Sequence, residues 1–413
     1  MSTSPSDADG RYRCVVCRAE AHVLHDFGMQ PLTNRLPAEP DGATPAHRML
    51  LAECVECGLV QAPTPPPPET LRPPKTMLYR EPEGHLDDLV SQVLDSAAAT
   101  QASRLLGLTY KDASTLDRFE ARGCQHVRVF DAAADLGVHQ PHAGLETIQA
   151  AVQGELVAEL RGKYGAAELL IARHILEHAH RTDQFLQALA GLLSPDGRLI
   201  VEVPDCTTPL GQRDYTMMWE DHIAYFTPQT LRGSLARCGF AIDALHVYPY
   251  SQENSLVAIA RGGGEDAAPA GAHAEPVDPL VRRYAASIPR VQQQWRAELS
   301  RLREARGPVA LFGAGHRAIS FLNLLGLAEL VDLVVDEDAD KQQRYLPGTR
   351  LRIEAPTALQ AQAAGACLLA VSSEFEDRVA SRCRDLLPGN ARLFSIFPNS
   401  PYALPISLDE DEA

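Results

Sequence analysis

The stretch AAELLIARHILEHAH, residues 166–180, sets an apolar run directly against a polar segment holding three histidines and a glutamate. Leu169 to Ala172 reads as a buried strand, and its end opens into a loop or helix carrying Arg173, His174, Glu177 and His178. An apolar run without alternation suits a strand covered on both faces, as in a parallel sheet. In an open α/β sheet, ligands collect at the carboxyl ends of the strands. The polar residues therefore stand where the rim of a binding site belongs.

Working outward, LLGLTY (105–110), HVRVFDAA (126–133) and GRLIVEVPDC (197–206) are further short apolar runs. Helical stretches separate them. LDDLVSQVLDSAAATQASRLL (86–106) has apolar residues at helical spacing, and DQFLQALAGLLSPDG (183–197) reads as a helix closed by a Pro-Asp-Gly turn. Strands alternating with helices predict βαβ units, a parallel sheet and an α/β fold. This order resembles the class I S-adenosylmethionine-dependent methyltransferase fold, a Rossmann-like domain. The resemblance implies a glycine-rich turn after the first strand and an acidic residue ending the second. RVFDAA places Asp131 where a carboxylate accepts both ribose hydroxyls. The glycine turn is altered: Thr109 and Ala113 stand where glycines are expected, around Lys111-Asp112-Ala113-Ser114. Glycine there lets the backbone approach a ligand closely. Thr109 and Asp112 are expected at the methionine end of the cofactor, with Arg173 and His174 beside them. A plain strand-to-helix connection without a ligand is the alternative.

Near the N-terminus, CVVC (Cys14, Cys17) and CVECG (Cys54, Cys57) form two knuckles able to present four thiolates to Zn²⁺. So small a module needs such a metal to fold. Four thiolates leave no open position, so the zinc is structural. Two unrelated reduced pairs, or a redox pair, are the alternatives.

DYTMMWEDHIAYFTPQTLRGSLARCGF (214–240) gathers Trp219, Asp221, His222, Tyr225 and Phe226 just before a helix. Thr227 is the expected N-cap and Pro228 the first helical residue. A histidine among aromatics is suited to general-base work, with Asp221 able to orient it; a structural aromatic corner is the bland reading. His174, Glu177 and His178 lack the HExxH order, so a metal is not expected there.

RGPVALFGAGHRAISFLNLLGL (306–327) reads as strand, tight turn and helix, with Gly313, Gly315 and Ala318 in GxGxxA spacing. A second strand then ends at Asp336. This is the opening βαβ pattern of a nucleotide-binding domain, with His316 and Arg317 placed to meet a diphosphate. Close helix–strand packing gives the same pattern.

The totals set bounds. In 413 residues, a net charge of −16 argues against nucleic acid as a partner. Nine cysteines, an odd number, fit a reducing compartment better than a disulfide framework. Neither a signal peptide nor a membrane span is expected, and the cytoplasm is the default location. Proline-dense residues 62–74 and the small, polar stretch 262–279 read as linkers, and SLDEDEA as an acidic tail. The expected division is a zinc module with its linker over 1–75, a methyltransferase domain over 76–262, a linker, helix and Rossmann-like domain over 263–403, and a tail over 404–413.

Together these pieces resemble the three-part sugar C-methyltransferases that act on nucleotide-linked keto-deoxysugars. The resemblance rests on CVVC, GMQPLTNRL (28–36), CVECGLVQ (54–61), IARHILEH (171–178), FGAGHRAISFLNLLG (312–326) and VVDEDADKQQRYLPGT (334–349). It implies a zinc module and a C-terminal domain flanking the methyltransferase core and helping to enclose the sugar nucleotide. It implies His222 as the base that removes a proton beside a ketone. The family's Tyr-His-Glu-His stretch reads Trp219-Glu220-Asp221-His222 here, and its His-Gly-Gly-Ser reads Gln252-Glu253-Asn254-Ser255. Trp219 has no phenolic proton to give an enolate. Glu177, His178, Tyr225 and Asn254 are expected in the substrate pocket, with Gly313, Gly315, His316, Arg317 and Asp336 on the nucleotide side. Two other functions are open: a non-methylating member that binds a ligand or a partner protein, and an oxidoreductase using the C-terminal GxGxxA turn.

Overall fold

Residues 11–40, 42, 44–73, 81–140, 142, 144–262 and 279–406 are described by the structure, a computed structural model. The linker expected over 262–279 lies outside the described residues apart from its two ends, as does the tail from residue 407. Contacts divide the chain into two units: residues 1–23, 51–207 and 221–278, and residues 24–50, 208–220 and 279–413.

The cysteine-bearing strands are β1 (Tyr12–Arg13), β2 (Glu20–Pro31), β3 (Ala46–Cys54) and β4 (Val60–Gln61). In the first unit β1 pairs antiparallel with the start of β2, and the end of β3 with β4. The central sheet is built from β5 (Arg104–Gly107), β6 (His126–Val129), β7 (Ala167–Arg173) and β8 (Leu193–Asp205). A short strand, β9 (Ala224–Tyr225), follows and pairs with β4; β10 (Phe240–Tyr248) and β11 (Asn254–Gly262) complete the set. The order is β10-β11-β8-β7-β5-β6, parallel from β8 to β6, with β11 antiparallel to both neighbours. This is the α/β fold the apolar runs predict, and β7 is buried almost throughout.

Helices follow the apolar spacing. Leu86–Asp95 buries Leu86, Leu89, Val90 and Val93 on one face. Pro228–Arg237 starts at Thr227, which caps it, with Pro228 at the first turn. Two boundaries differ from expectation. The helix expected over 86–106 ends at Asp95, and Arg104–Leu106 belong to β5, where Leu105 pairs with Val127 and Leu169. The helix before β8 ends at Leu192, and residues 194–197 lie within β8 as a bulge. Leu193 pairs with Ala167 and Arg198 with Leu169, so the Pro-Asp-Gly turn is absorbed into the strand.

The second unit centres on a parallel sheet of β12 (Val309–Phe312), β13 (Leu333–Val335), β14 (Ile353–Glu354), β15 (Ala366–Leu369) and β16 (Arg392–Ser395), ordered β14-β13-β12-β15-β16. The helix Pro279–Arg306 buries Val281, Tyr284, Ile288, Val291, Trp295, Leu299 and Leu302 along one stripe. Among the described residues, no helix is long and apolar enough to cross a membrane.

Candidate functional site

Two knuckles bring four thiols together in the first unit. Cys14 lies 3.6 Å from Cys57, Cys17 3.4 Å from Cys54 and Cys17 3.7 Å from Cys57, sulfur to sulfur. Sulfurs on a tetrahedral ion at about 2.3 Å stand roughly 3.8 Å apart, so the spacing suits Zn²⁺ and is far too long for disulfides. Arg18 and Gly58, each following a knuckle's second cysteine, take positive φ of 64° and 69°. Matching turns thus close both loops.

At the carboxyl ends of β7 and β8 the polar residues form an enclosed lattice. Its hub is Glu202, fully buried on β8. It takes a charge-assisted bond from Arg173 Nε, and the Nε2 atoms of His174 and His85 each lie 3.2 Å from Oε1. Ser255 donates to the same oxygen at 2.6 Å. Burial opposes the Glu202 charge, but the His174 and Arg173 charges and the bonds from His174 and His85 hold its pKa well below the usual range. Arg173 Nη1 also donates to Lys111 O (2.7 Å), Ser114 Oγ (3.1 Å) and Glu83 Oε1 (3.2 Å), and Lys111 pairs with Glu81. His174 has a positive φ of 49°. Burial disfavours its charge, yet the Glu81 and Glu202 carboxylates outweigh burial and raise its pKa to about 10.

The strand-to-helix turn after β5 is closed by its own residues. Thr109 and Asp112 form a capping box on the helix Tyr110–Ala121. Asp112 is fully buried and accepts three main-chain N–H groups, those of Leu108, Thr109 and Arg173, each at 2.8 Å. Burial pushes its carboxyl up to about 7 against those bonds. Thr109, Asp112 and Arg173 are thus mutual partners, and His174 shares Glu202 with Arg173. The ligand-facing role expected of Asp112 finds no exposed oxygen. Asp131 is exposed, and its Oδ1 accepts from Ala133 and Ala134 N–H at 3.0 and 2.7 Å. Glu146, which sequence reasoning missed, is buried with Oε1 lacking a hydrogen-bond partner, and burial lifts its pKa to about 7. Burial, aided by the Glu81 and Glu146 charges, pushes the Tyr110 hydroxyl upward.

Past β7, Leu176–His178 forms one 3₁₀ turn. The rings of His178 and His222 meet edge to face, 4.9 Å between centroids, and Tyr225 lies 6.4 Å from His222. His178 Nδ1 donates to the Asp221 carbonyl at 2.9 Å, and Ile223 N–H donates to Glu177 O at 2.7 Å. Asp221 therefore steadies His178 through its main chain. Asn254, at the start of β11, is held at the carboxyl end of β8, donating to Asp205 Oδ2 at 3.3 Å and accepting from Tyr250 N–H at 3.2 Å.

Trp219 falls in the second unit, its ring 4.0 Å from that of His316. Arg317 lies 3.9 Å from Asp214 and over the Phe397 ring. The GxGxxA turn has a packing cause. Gly313 takes φ +108°, and a Cβ there would meet the Ala370 carbonyl oxygen at 2.7 Å. Gly315 is the N-cap of the helix His316–Leu324. Asp336 accepts from Ala314 N–H at 2.7 Å and from Lys341 at 3.0 Å, so it braces the turn from within.

Residues 81–245 match a methyltransferase domain family, and residues 276–398 match the C-methyltransferase C-terminal domain. C-methyltransferase NovU of Streptomyces niveus is 27% identical over 293 residues, 68% of each chain. Two solved structures are more distant. An O-methyltransferase family protein of Burkholderia thailandensis is 18% identical at a TM-score of 0.28, covering 44% of this chain and 58% of that one. Magnesium protoporphyrin IX methyltransferase of Synechocystis PCC 6803 is 12% identical at a TM-score of 0.29, covering 43% and 81%.

Proposed function

The chain belongs to the class I S-adenosylmethionine-dependent C-methyltransferases, and from that premise we propose that it methylates a carbon next to a carbonyl, on a nucleotide-linked deoxysugar or a related metabolite, with His222 as the base. The observation that carries this reading is the meeting of the buried His178 with the half-buried His222 beyond β7. One imidazole is fixed by a main-chain carbonyl, and the other stands edge-on to it.

In this reading His222 takes the proton from the carbon beside the carbonyl, and Glu177, His178 and Tyr225 shape the space around it. Trp219 in place of a phenol means that the enolate is steadied by other donors. Bound S-adenosylmethionine supplies a methyl group on a sulfonium. The residues present suit that group at two points. The exposed Asp131 carboxylate suits the ribose hydroxyls, and the unpartnered Glu146 oxygen suits a cationic ligand. Thr109, Asp112, Arg173 and His174 act one step back, shaping the turn. Cys14, Cys17, Cys54 and Cys57 hold a structural Zn²⁺. In the second unit, His316 and Arg317 are the residues for a diphosphate, while Gly313, Gly315 and Asp336 build the turn that presents them.

Calorimetric titration of the zinc-loaded protein with S-adenosylmethionine and S-adenosylhomocysteine tests this. Micromolar binding is expected, weakened at least about tenfold by Asp131→Ala and by Glu146→Gln. With binding in hand, His222→Gln is expected to slow transfer by about 10²–10⁴-fold. No heat from a folded, zinc-loaded protein would move the chain to the second reading, a non-methylating member that binds another ligand. The self-satisfied Thr109–Asp112–Arg173 lattice is what favours that outcome.

A further inference from the structure

The proposed base and two of its neighbours past β7 also form a donor set whose arrangement proton removal alone does not explain. One ligand atom from each of Glu177, His178 and His222 lies within 4.8 Å of the other two. Glu177 and His178 are only 2% and 6% exposed. Glu177 Oε2 is enclosed with no hydrogen-bond partner, a costly state for a carboxylate oxygen unless a cation meets it. The His178 ring faces the Asp221 carbonyl with Nδ1, so that nitrogen carries the proton and Nε2 presents its lone pair. An outer hydrogen bond of this kind orients a metal-binding imidazole.

We propose that Glu177, His178 and His222 bind one divalent transition-metal ion. Two imidazole nitrogens and a carboxylate oxygen suit Zn²⁺, Co²⁺, Mn²⁺ or Fe²⁺, whereas Mg²⁺ and Ca²⁺ favour oxygen ligands alone. Ligand atoms on a tetrahedral ion at about 2.05 Å stand roughly 3.3 Å apart, so the cluster closes by only about 1.5 Å at its widest. Three protein ligands leave room for an exogenous oxygen, from water or a carbonyl compound. His174, the neighbour that sequence order would group with Glu177 and His178, is not part of the set: its Nε2 lies 3.2 Å from Glu202 Oε1 and its Nδ1 3.6 Å from Glu177 Oε1, which leaves Glu177 Oε2 to the ion. The site goes beyond the methyl-transfer reading and competes with it for one atom pair. An ion on His222 and a proton on the same nitrogen exclude each other, so metal occupancy would silence the base.

Cobalt(II) titrated into the full chain, its cysteine site already filled with zinc, reports the site without substrate or activity. The expected result is about one further equivalent bound, with weak visible bands and no intense sulfur charge-transfer absorption. Glu177→Gln and His178→Gln should each weaken that binding by more than the roughly 10–100-fold that loss of an outer partner costs. His222→Gln serves in place of either variant that fails a circular-dichroism check of folding. No second equivalent in the wild type, or unchanged affinity in the folded variants, overturns the proposal. Cofactor binding is measured separately, so failure here leaves the methyl-transfer reading untouched.

Discussion

His174 carries a positive charge at neutral pH because carboxylates enclose it: Glu202 at 3.2 Å, Glu177 at 3.6 Å, and Glu81 through its field. A histidine whose folded pKa is raised stabilises the protein fully below its unfolded value of about 6.5. That contribution is lost as pH climbs toward about 10. The melting temperature should therefore fall across this window, and His174→Gln should flatten the fall; an unchanged slope in the variant would show that another group is responsible. The hub of this lattice left one trace in the sequence, a lone charge in the apolar run LIVEV (199–203). Its partners were not legible. His85, Arg173, His174 and Ser255 reach Glu202 from three distant stretches, and no local spacing joins them.

Strands and helices were far more legible than these side-chain partners, because apolar runs and 3.6-residue spacing are local signals. The bulge at 194–197 was not, since it depends on Leu193 finding Ala167 on a neighbouring strand. The turn after β5 shows why its missing glycines matter less to the fold than to a ligand. Thr109 and Asp112 satisfy the helix start themselves, while Gly107 is needed because a Cβ there would lie 2.7 Å from Asp112 Cβ and 2.8 Å from Leu116 Cδ1. Thr109→Ala should cost about 1 kcal/mol, the usual worth of a cap. Gly107→Ala, which overpacks the helix against the strand, should cost more, roughly 1–3 kcal/mol. Urea unfolding of both variants checks the order; a harmless Gly107→Ala would mean that the helix moves away freely.

On the scale of the whole molecule, composition and motif order could not show the grouping of residues 24–50 and 208–220 with the C-terminal residues, which only long-range contacts decide. Within the first unit, the cysteine knuckles and the histidine pair share a strand pairing. Val60 on β4, three residues past Cys57, pairs with Tyr225 on β9, and Ala62 N–H donates to Ile223 O at 2.9 Å. Stripping zinc with a chelator should therefore do more than unfold the knuckles. The imidazole resonances of His178 and His222 should shift or broaden, and re-adding about one equivalent of zinc should restore them. Unmoved resonances in the metal-free protein would separate the two regions. With zinc as the ion, this pairing would tie the neighbourhood of His222 to closure of the cysteines; metal loading would then be a step of maturation, and a cell short of zinc would accumulate immature chains.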